Sequence, residues 1–494
     1  MQSTPPVDVP SAHAPTSRAR WTLGIAGAAL FMTALDQLVV GVALHSIRID
    51  LGGSIEGLEW TVNAYTLAFA VLLITGAALG DRFGRKRMFI VGVGVFTVAS
   101  ALAALSPSTD ALVAARAMQG LGAAIVTPLT LTLISEAFPP ERRAAALGIW
   151  GGITGLGVAI GPFVGGAVVE GIAWQWIFWA NVPIGLAMIP LAARVLAESH
   201  GPDRELDLRG LTLASAGLFA LTFGLIRGEA LGWTSATVLV SLGTGLALLA
   251  AFIRWELRAP APMLPMRFFR SRAFSAANGL SFAMFFGAFG AIFLISQYFQ
   301  TAQGFGAFEA GARTLPWTGM PMIFSPLAGV LATRVGTRPL MAVGLALQAI
   351  GLAWMTVLFE PNTPFVELIA PFAITGIGMA FVFSMAPEAV LAAVRPQDAG
   401  KASGATNAIR EVGAVMGVAV LASVFAANGG YENPQAFNDG LVTALPIAVV
   451  VLAAGAVLAL LTPGRGAGEA GSGASEEAPG ALADTGFESP SAML

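Results

Sequence analysis

Apolar side chains in this chain gather into long runs, each separated from the next by a short polar segment. The runs cover 21–45, 59–79, 88–106, 111–136, 144–170, 174–196, 208–227, 234–254, 273–300, 310–333, 338–359, 365–394, 402–427 and 441–462. Each is close to the ~20 residues with which an α-helix crosses the hydrocarbon of a bilayer. Inside that hydrocarbon a helix satisfies its own backbone hydrogen bonds, so the pattern predicts an all-α membrane protein of fourteen transmembrane helices. Only charged or aromatic punctuation divides 111–136, 144–170 and 174–196. The stretch 1–20 is polar and proline-rich, and the tail 463–494 is mostly Gly, Ala, Ser and acid. Both are expected to be disordered cytoplasmic extensions. Arg18 and Arg20 precede a first run too long for the apolar core of a cleaved signal peptide, which predicts a retained first span.

Composition agrees with lipid as the natural solvent. Hydrophobic residues make up 56% of the 494 and charged residues only 11%, where a soluble chain carries about a quarter charged. A net charge of −3 leaves no basic surplus for nucleic acid. With no cysteine and three scattered histidines, His13, His45 and His200, neither a disulfide framework nor a Cys/His metal site is expected. About 21 of the 26 basic residues fall in segments on the same side as the N-terminus. By the positive-inside rule that side is cytoplasmic and both termini lie there, which predicts a multi-pass protein of the cell inner (plasma) membrane.

The chain also resembles itself. At an offset of 252 residues, Ala77–Gly84 falls on Gly329–Gly336, and Glu136, Arg143, Gly148, Gly152, Gly161 and Gly165 fall on Glu388, Arg395, Gly400, Gly404, Gly413 and Gly417. A shared register across several spans implies parallel repeats. The resulting plan is an N-terminal six-helix half over 21–200, two inserted linker helices over 201–260, and a C-terminal six-helix half over 261–462.

Several local motifs then carry a family resemblance. Leu79-Gly80-Asp81-Arg82-Phe83-Gly84-Arg85-Lys86-Arg87 follows the second span, Arg116-Ala117-Met118-Gln119-Gly120 lies in the fourth, and Gly157-Val158-Ala159-Ile160-Gly161-Pro162-Phe163-Val164-Gly165-Gly166 in the fifth. With Leu35-Asp36 in span one and Trp174 to Gly185 at span six, these resemble the fourteen-span drug/proton antiporters of the major facilitator superfamily. Departures are Ala77 for the first signature glycine, Leu38, Gly41 and His45 for the usual Thr, Asn and Pro of span one, and Gln175 between the tryptophans. The resemblance implies the major facilitator fold and a secondary active transporter, not an enzyme. Its implied activity is efflux of lipophilic, cationic drugs by proton antiport and alternating access. Export of a specific metabolite, lipid or self-made antibiotic is the alternative, and a membrane-embedded enzyme a more distant one.

Charges inside spans single out candidate residues, because an ion at the bilayer centre costs at least ~2.5–3.5 kcal/mol. At ~1.5 Å per residue, Asp36 and Arg116 reach similar depths, so Asp36 is a candidate proton site and Arg116 its switchable counter-ion. Arg410 and Glu411 enter mid-membrane in span thirteen, with Glu411 a second candidate carboxylate. Glu388 is expected to snorkel near a helix end. Trp60, Asn63, Tyr65, Gln119, Asn278, Phe282, Phe285, Phe286, Phe289 and Gln297 are candidates for a cavity wall, since aromatic faces attract lipophilic cations. Gly157, Gly161 and Gly165 share a helix face that admits a close backbone, and Pro162 loosens the helix there, so span five is a candidate pivot. By resemblance, the loop of Asp81, Arg82, Gly84 and Arg85 latches one half against the other, and Thr333 at the repeated position predicts a weaker second latch. Lys86 and Lys401 are the only lysines and neither sits in a P-loop. No cofactor is therefore expected, with a proton gradient as energy source. The expected partners are protons, a small lipophilic substrate and the lipid bilayer, for a chain acting as a monomer.

Overall fold

The computed structural model describes residues 17–52, 55–201, 207–260 and 262–460. Helices dominate, and no strand occurs among the described residues. The N-terminal half contains α1 (Ser17–Leu51), α2 (Ile55–Phe83), α3 (Arg85–Ala104), α4 (Thr109–Ala137), α5 (Pro140–Gly171), the single turn α6 (Trp176–Trp179) and α7 (Asn181–Val195). Two inserted helices follow, α8 (Leu208–Leu231) and α9 (Ala236–Glu256). The C-terminal half contains α10 (Arg272–Gln297), α11 (Ala307–Thr318), α12 (Met320–Val335), α13 (Thr337–Leu358), α14 (Phe365–Ala392), α15 (Ala399–Asn428) and α16 (Pro434–Ala459).

Each of the fourteen apolar runs has its helix. Thirteen segments among the described residues are long and apolar enough to cross a membrane. The remaining helix, α5, has 32 residues. Three expectations need correction. The run 310–333 divides into α11 and α12 at Gly319, whose N–H still bonds the Leu315 carbonyl at 2.9 Å, three residues beyond the bend-prone Pro316. The run 174–196 begins as the separate turn α6. Residues 17–20, expected within a disordered extension, already belong to α1. Residues 1–16 and the tail 463–494 lie outside the described residues.

Helix ends follow side-chain chemistry. Ser108, Asp207, Ser235, Ser271 and Asn433 each accept a backbone N–H in the first turn of the helix they precede, which stabilises that end. The tight turn between α2 and α3 is made at Gly84, with φ 103°, and its repeat between α12 and α13 at Gly336, with φ 88°. Such positive φ values exclude most side chains.

The repeat is visible in the packing. Where α2 meets α15, α12 meets α5, its counterpart pair. The inserted helices pack on each other, and α8 leans on α2 and α15. Thr75 and Ser215 share a hydrogen bond at 3.2 Å there, and Trp60 stacks on Phe223 with centroids 6.0 Å apart.

Candidate functional site

Asp36 and Arg116 do meet, in a fully buried ion pair between α1 and α4. The pair sits inside a larger polar network. Gln119 donates to Asp36 at 3.1 Å and to Ser100 at 2.8 Å, while Asn181 donates to Asp36 at 2.8 Å. Arg116 donates to the Gln119 carbonyl at 2.8 Å and to the Thr61 backbone carbonyl at 3.0 Å. Its Nη2 has no hydrogen-bond partner, but the guanidinium lies 4.4 Å from the Tyr65 ring centroid and 5.7 Å from that of Phe178. Such stacking holds a desolvated cation. Asn181 and Ser100 were not among the candidate residues. A lone amide opening an apolar span is a signal of the same kind as a charge, only weaker.

A separate cavity of about 110 Å³ lies between the two halves. Its walls combine aromatic side chains (Phe69, Phe285, Phe289, Phe383, Trp150) with polar ones (Gln37, Thr33, Thr154, Asn407). Arg410 and Glu411 both line it. The reason is helical: Asn407, Arg410, Glu411 and Ala414 form one face of α15 at the i, i+3, i+4, i+7 spacing. Glu411 is buried, with no hydrogen bond or ion pair among the described residues. Arg410 is equally buried, its Nε and Nη2 lack hydrogen-bond partners, and its guanidinium stands 5.4 Å from the Phe285 centroid. Tyr65 joins the two sites. It lines the cavity, packs on Arg116, and donates to the Thr33 carbonyl at 3.2 Å.

Most of the other proposed wall residues stand elsewhere. Trp60 turns toward α8, with Arg227 6.0 Å from its ring centroid, and half-buried Asn63 does not line the cavity. Gln119 belongs to the Asp36 network. Asn278 donates to the Phe274 carbonyl at 2.9 Å within its own helix. Phe282 lines a different cleft, and Phe286 packs in the core of the C-terminal half. Gln297 accepts from the Tyr431 hydroxyl at 2.6 Å. Of the spanning tryptophans, Trp174 is buried and donates to Asp50 at 2.8 Å, whereas Trp176 is exposed.

The halves are joined at the arginine-rich end. Arg85 donates to Asp81 Oδ1 through Nε at 2.9 Å and Nη2 at 2.7 Å, and also pairs with Glu136. The segment after α7 folds over this turn: Gly201 N–H donates to the Asp81 carbonyl at 2.8 Å, and Glu198 accepts from the Lys86 and Arg87 N–H groups at the start of α3. The Asp81 carboxylate abuts Gly400, where a Cβ would stand 2.7 Å from its Cγ. Gly400 lies in the first turn of α15, whose free N–H groups attract an anion. Arg82, by contrast, is exposed beside Phe83 and takes no part. Thr333 donates to the Val330 carbonyl of its own helix, so the repeated loop has no counterpart of the Asp81 contact.

Nearby, Ser403 of α15 donates to the Pro128 carbonyl of α4 at 3.0 Å. Half-buried Glu388 of α14 lies one turn from the end of that helix, within the electrostatic reach of Arg143 of α5 in the other half. The close backbone approach of α5 to the other half is made by Gly148 and Gly152, against Ser325, Gly329 and Met322 of α12. Gly157 faces α1 instead, 3.1 Å from Ala34 by its would-be Cβ. Gly161 and Gly165 are buried, and the Pro162 side chain lies outside the described residues. At the opposite end Phe163 and Phe308 meet with centroids 4.6 Å apart. The arrangement is therefore one with the arginine-rich end shut.

A substitution tests the latch. In Gly400→Val the new side chain has to displace the Asp81 carboxylate. A loss of about 1.4 kcal/mol from the shut state shifts the equilibrium roughly tenfold. The chain has no cysteine of its own, so a cysteine introduced by Ser403→Cys should react with a polar maleimide roughly tenfold faster in the Gly400→Val background.

The sequence profile described as the Major Facilitator Superfamily matches residues 26–319 and 280–489. The tetracenomycin C resistance and export protein of Streptomyces glaucescens is 35% identical over 445 residues, 88% of this chain and 82% of the relative. A cephamycin export protein of Amycolatopsis lactamdurans is 37% identical over 465 residues, 91% and 93% of the two chains. The multidrug resistance protein Stp of Mycobacterium tuberculosis is 35% identical over 408 residues, 82% and 76%. In fold, the chain is similar to the human organic anion transporter MFSD10, with a TM-score of 0.62, 14% identity, and coverage of 88% and 99%.

Proposed function

The chain belongs to the major facilitator superfamily, and from that premise we propose that it exports a lipophilic compound in exchange for inward-moving protons. It is a multi-pass membrane efflux transporter and not an enzyme. The observation that carries the exchange reading is Glu411, a carboxylate without a partner on the cavity between the halves. A buried carboxylate needs either a proton or a cation. One group that accepts either, but not both, makes the two ligands compete, and competition at an alternating cavity is antiport.

Six aromatic rings around the cavity favour a flat, apolar cargo, and Glu411 favours one with a positive charge. The Asp36–Arg116 network is the responding element. Tyr65 touches both sites, so a change of charge at Glu411 reaches Arg116 through one side chain. The bias of arginines toward the shut end supports a cytoplasmic location for that end and for both termini, in the cell's inner membrane.

A second reading, export of a self-made antibiotic, is favoured by the relatives named for tetracenomycin C and cephamycin export. Arg410 suits it, since two unpartnered N–H donors beside the cavity match a cargo rich in carbonyl or acidic oxygens.

Everted vesicles carrying the full chain discriminate these readings. With the interior acidified by respiration and followed by a pH probe, lipophilic cations should release protons on addition. Release by oxygen-rich neutral or acidic compounds alone would transfer the assignment to the second reading. If no cargo moves protons while export continues, proton coupling is wrong.

A further inference from the structure

A second cleft, distinct from the central cavity, opens between the inserted helices α8 and α9 on one side and α2, α10 and α15 on the other. Its volume is about 500 Å³, and every one of its lining side chains is apolar. The wall shared with the central cavity is α15. Ala405, Ala408, Ile409 and Val412 form one face of that helix, toward the cleft, while Arg410 and Glu411 face the cavity. On α10, Phe282 likewise turns to the cleft and Phe285 to the cavity.

Hydrocarbon suits such a lining, since any polar group placed there would lose its hydrogen bonds. The chain next to this lining has the opposite character. Ile253 and Phe269 line the cleft, and the residues that follow them are the exposed Arg254 and Arg270. Arg258 and Arg272 are exposed on the same connecting segment. None of these four arginines has an acidic partner among the described residues, and the neighbouring acids are already engaged: Asp398 with Arg267 and Arg395, and Glu256 with the Leu264 N–H. Orientation in the membrane explains arginines at this end of the protein. It does not require a cleft of hydrocarbon character beneath them.

We propose that this cleft is a binding site for an anionic phospholipid of the membrane, with an acyl chain between α8, α9 and α15 and the phosphate headgroup on Arg254 and Arg270. Basic residues at a membrane surface attract anionic headgroups in this way. Charge complementarity also separates this occupant from a transported cation, which these arginines would repel. By filling the space between the inserted helices and α15, the lipid would brace the helix that carries Glu411.

The test uses the purified full-length chain in detergent, titrated with phosphatidylglycerol or phosphatidylcholine of identical acyl chains and read by native mass spectrometry. Phosphatidylglycerol should bind the more tightly, and Arg254→Gln with Arg270→Gln should weaken it by roughly thirtyfold, the effect of two cations near an anionic surface. Location is read separately, with a single cysteine introduced by Leu218→Cys. Phosphatidylglycerol should slow its reaction with a lipid-soluble maleimide, and Ala408→Phe should abolish lipid binding by filling the cleft. Equal binding of the two lipids, unchanged phosphatidylglycerol binding in the double Gln variant, or undiminished labelling of the cysteine would each overturn the proposal. So would protection of that cysteine by tetraphenylphosphonium and not by the lipid, which would mark the cleft as a path for cargo.

Discussion

Replacing Glu411 by Gln is expected to abolish proton-coupled export while leaving the protein folded and inserted. The substitution keeps the shape of the side chain and breaks no hydrogen bond, because Glu411 makes none among the described residues. Removing a buried, unpaired carboxylate also removes a desolvation cost, so thermal stability in detergent should be unchanged or slightly higher. What disappears is the group that a proton and a cation can share. In the native protein, lowering the pH should weaken binding of a lipophilic cation, since the proton takes its place. In Glu411→Gln that pH dependence should vanish, and the vesicle pH probe should no longer respond to cargo. Intrinsic tryptophan fluorescence offers a direct readout, because Trp150 lines the same cavity. Normal cargo-driven proton release in the Gln variant would sink the assignment of Glu411 as the exchange site.

Asp36→Asn should behave in the opposite manner, with a large loss of stability accompanying loss of transport. Asp36 is wholly buried and is the counter-charge of Arg116, as well as the acceptor for Gln119 and Asn181. An amide removes the negative charge and puts a donor where two amide donors already point. Breaking one side of a buried ion pair costs about 3–5 kcal/mol, because the remaining charge is stranded. The thermal unfolding midpoint of Asp36→Asn should therefore fall well below that of the native protein. A double variant, Asp36→Asn with Arg116→Gln, strands no charge and should recover most of the stability without recovering transport. The outcome also decides the role of the pair. If the double variant transports normally, the pair fixes helix register only and the coupling runs through Glu411 alone. If Asp36→Asn is as stable as the native protein, the buried geometry described for this network is wrong.

These two carboxylates illustrate how far residue patterns reach. Counting helical rise placed Asp36 and Arg116 at one depth, and the structure brings them into contact. The count could not reveal that Tyr65 and the surrounding network close the pair off from the central cavity. That depends on the azimuth of each helix, which α1 and α4 settle only by packing on their neighbours. The aromatic candidates in α10 fared differently for the same reason. Phe282, Phe285, Phe286 and Phe289 are equivalent as a list of residues, yet only Phe285 and Phe289 line the central cavity. Phe282 turns to the hydrocarbon-like cleft and Phe286 into the core.

The glycines of span five make the point in backbone terms. Four-residue spacing implies one face open to close packing, but it does not say which helix approaches. Gly157 receives α1 from its own half, whereas Gly148 and Gly152 receive α12 from the other. The offset of 252 residues carried more information than either motif. It pairs α2 with α12 and α5 with α15, and those four helices meet two by two across the interface between the halves, α2 on α15 and α12 on α5.

What the sequence determined by itself is therefore the one-dimensional part of the problem. Lipid forces every span to satisfy its own backbone, so run length fixes the helices, and charge asymmetry and the repeat then predict their orientation and grouping. Rotation of each helix about its axis is free of those constraints, because a span apolar on all sides presents no face that must turn inward. Only side-chain packing between helices sets it. For that reason tertiary structure alone decided that Glu411 faces the cavity without a partner, that Asp36 is enclosed, and that Asp81 meets Gly400 across the halves.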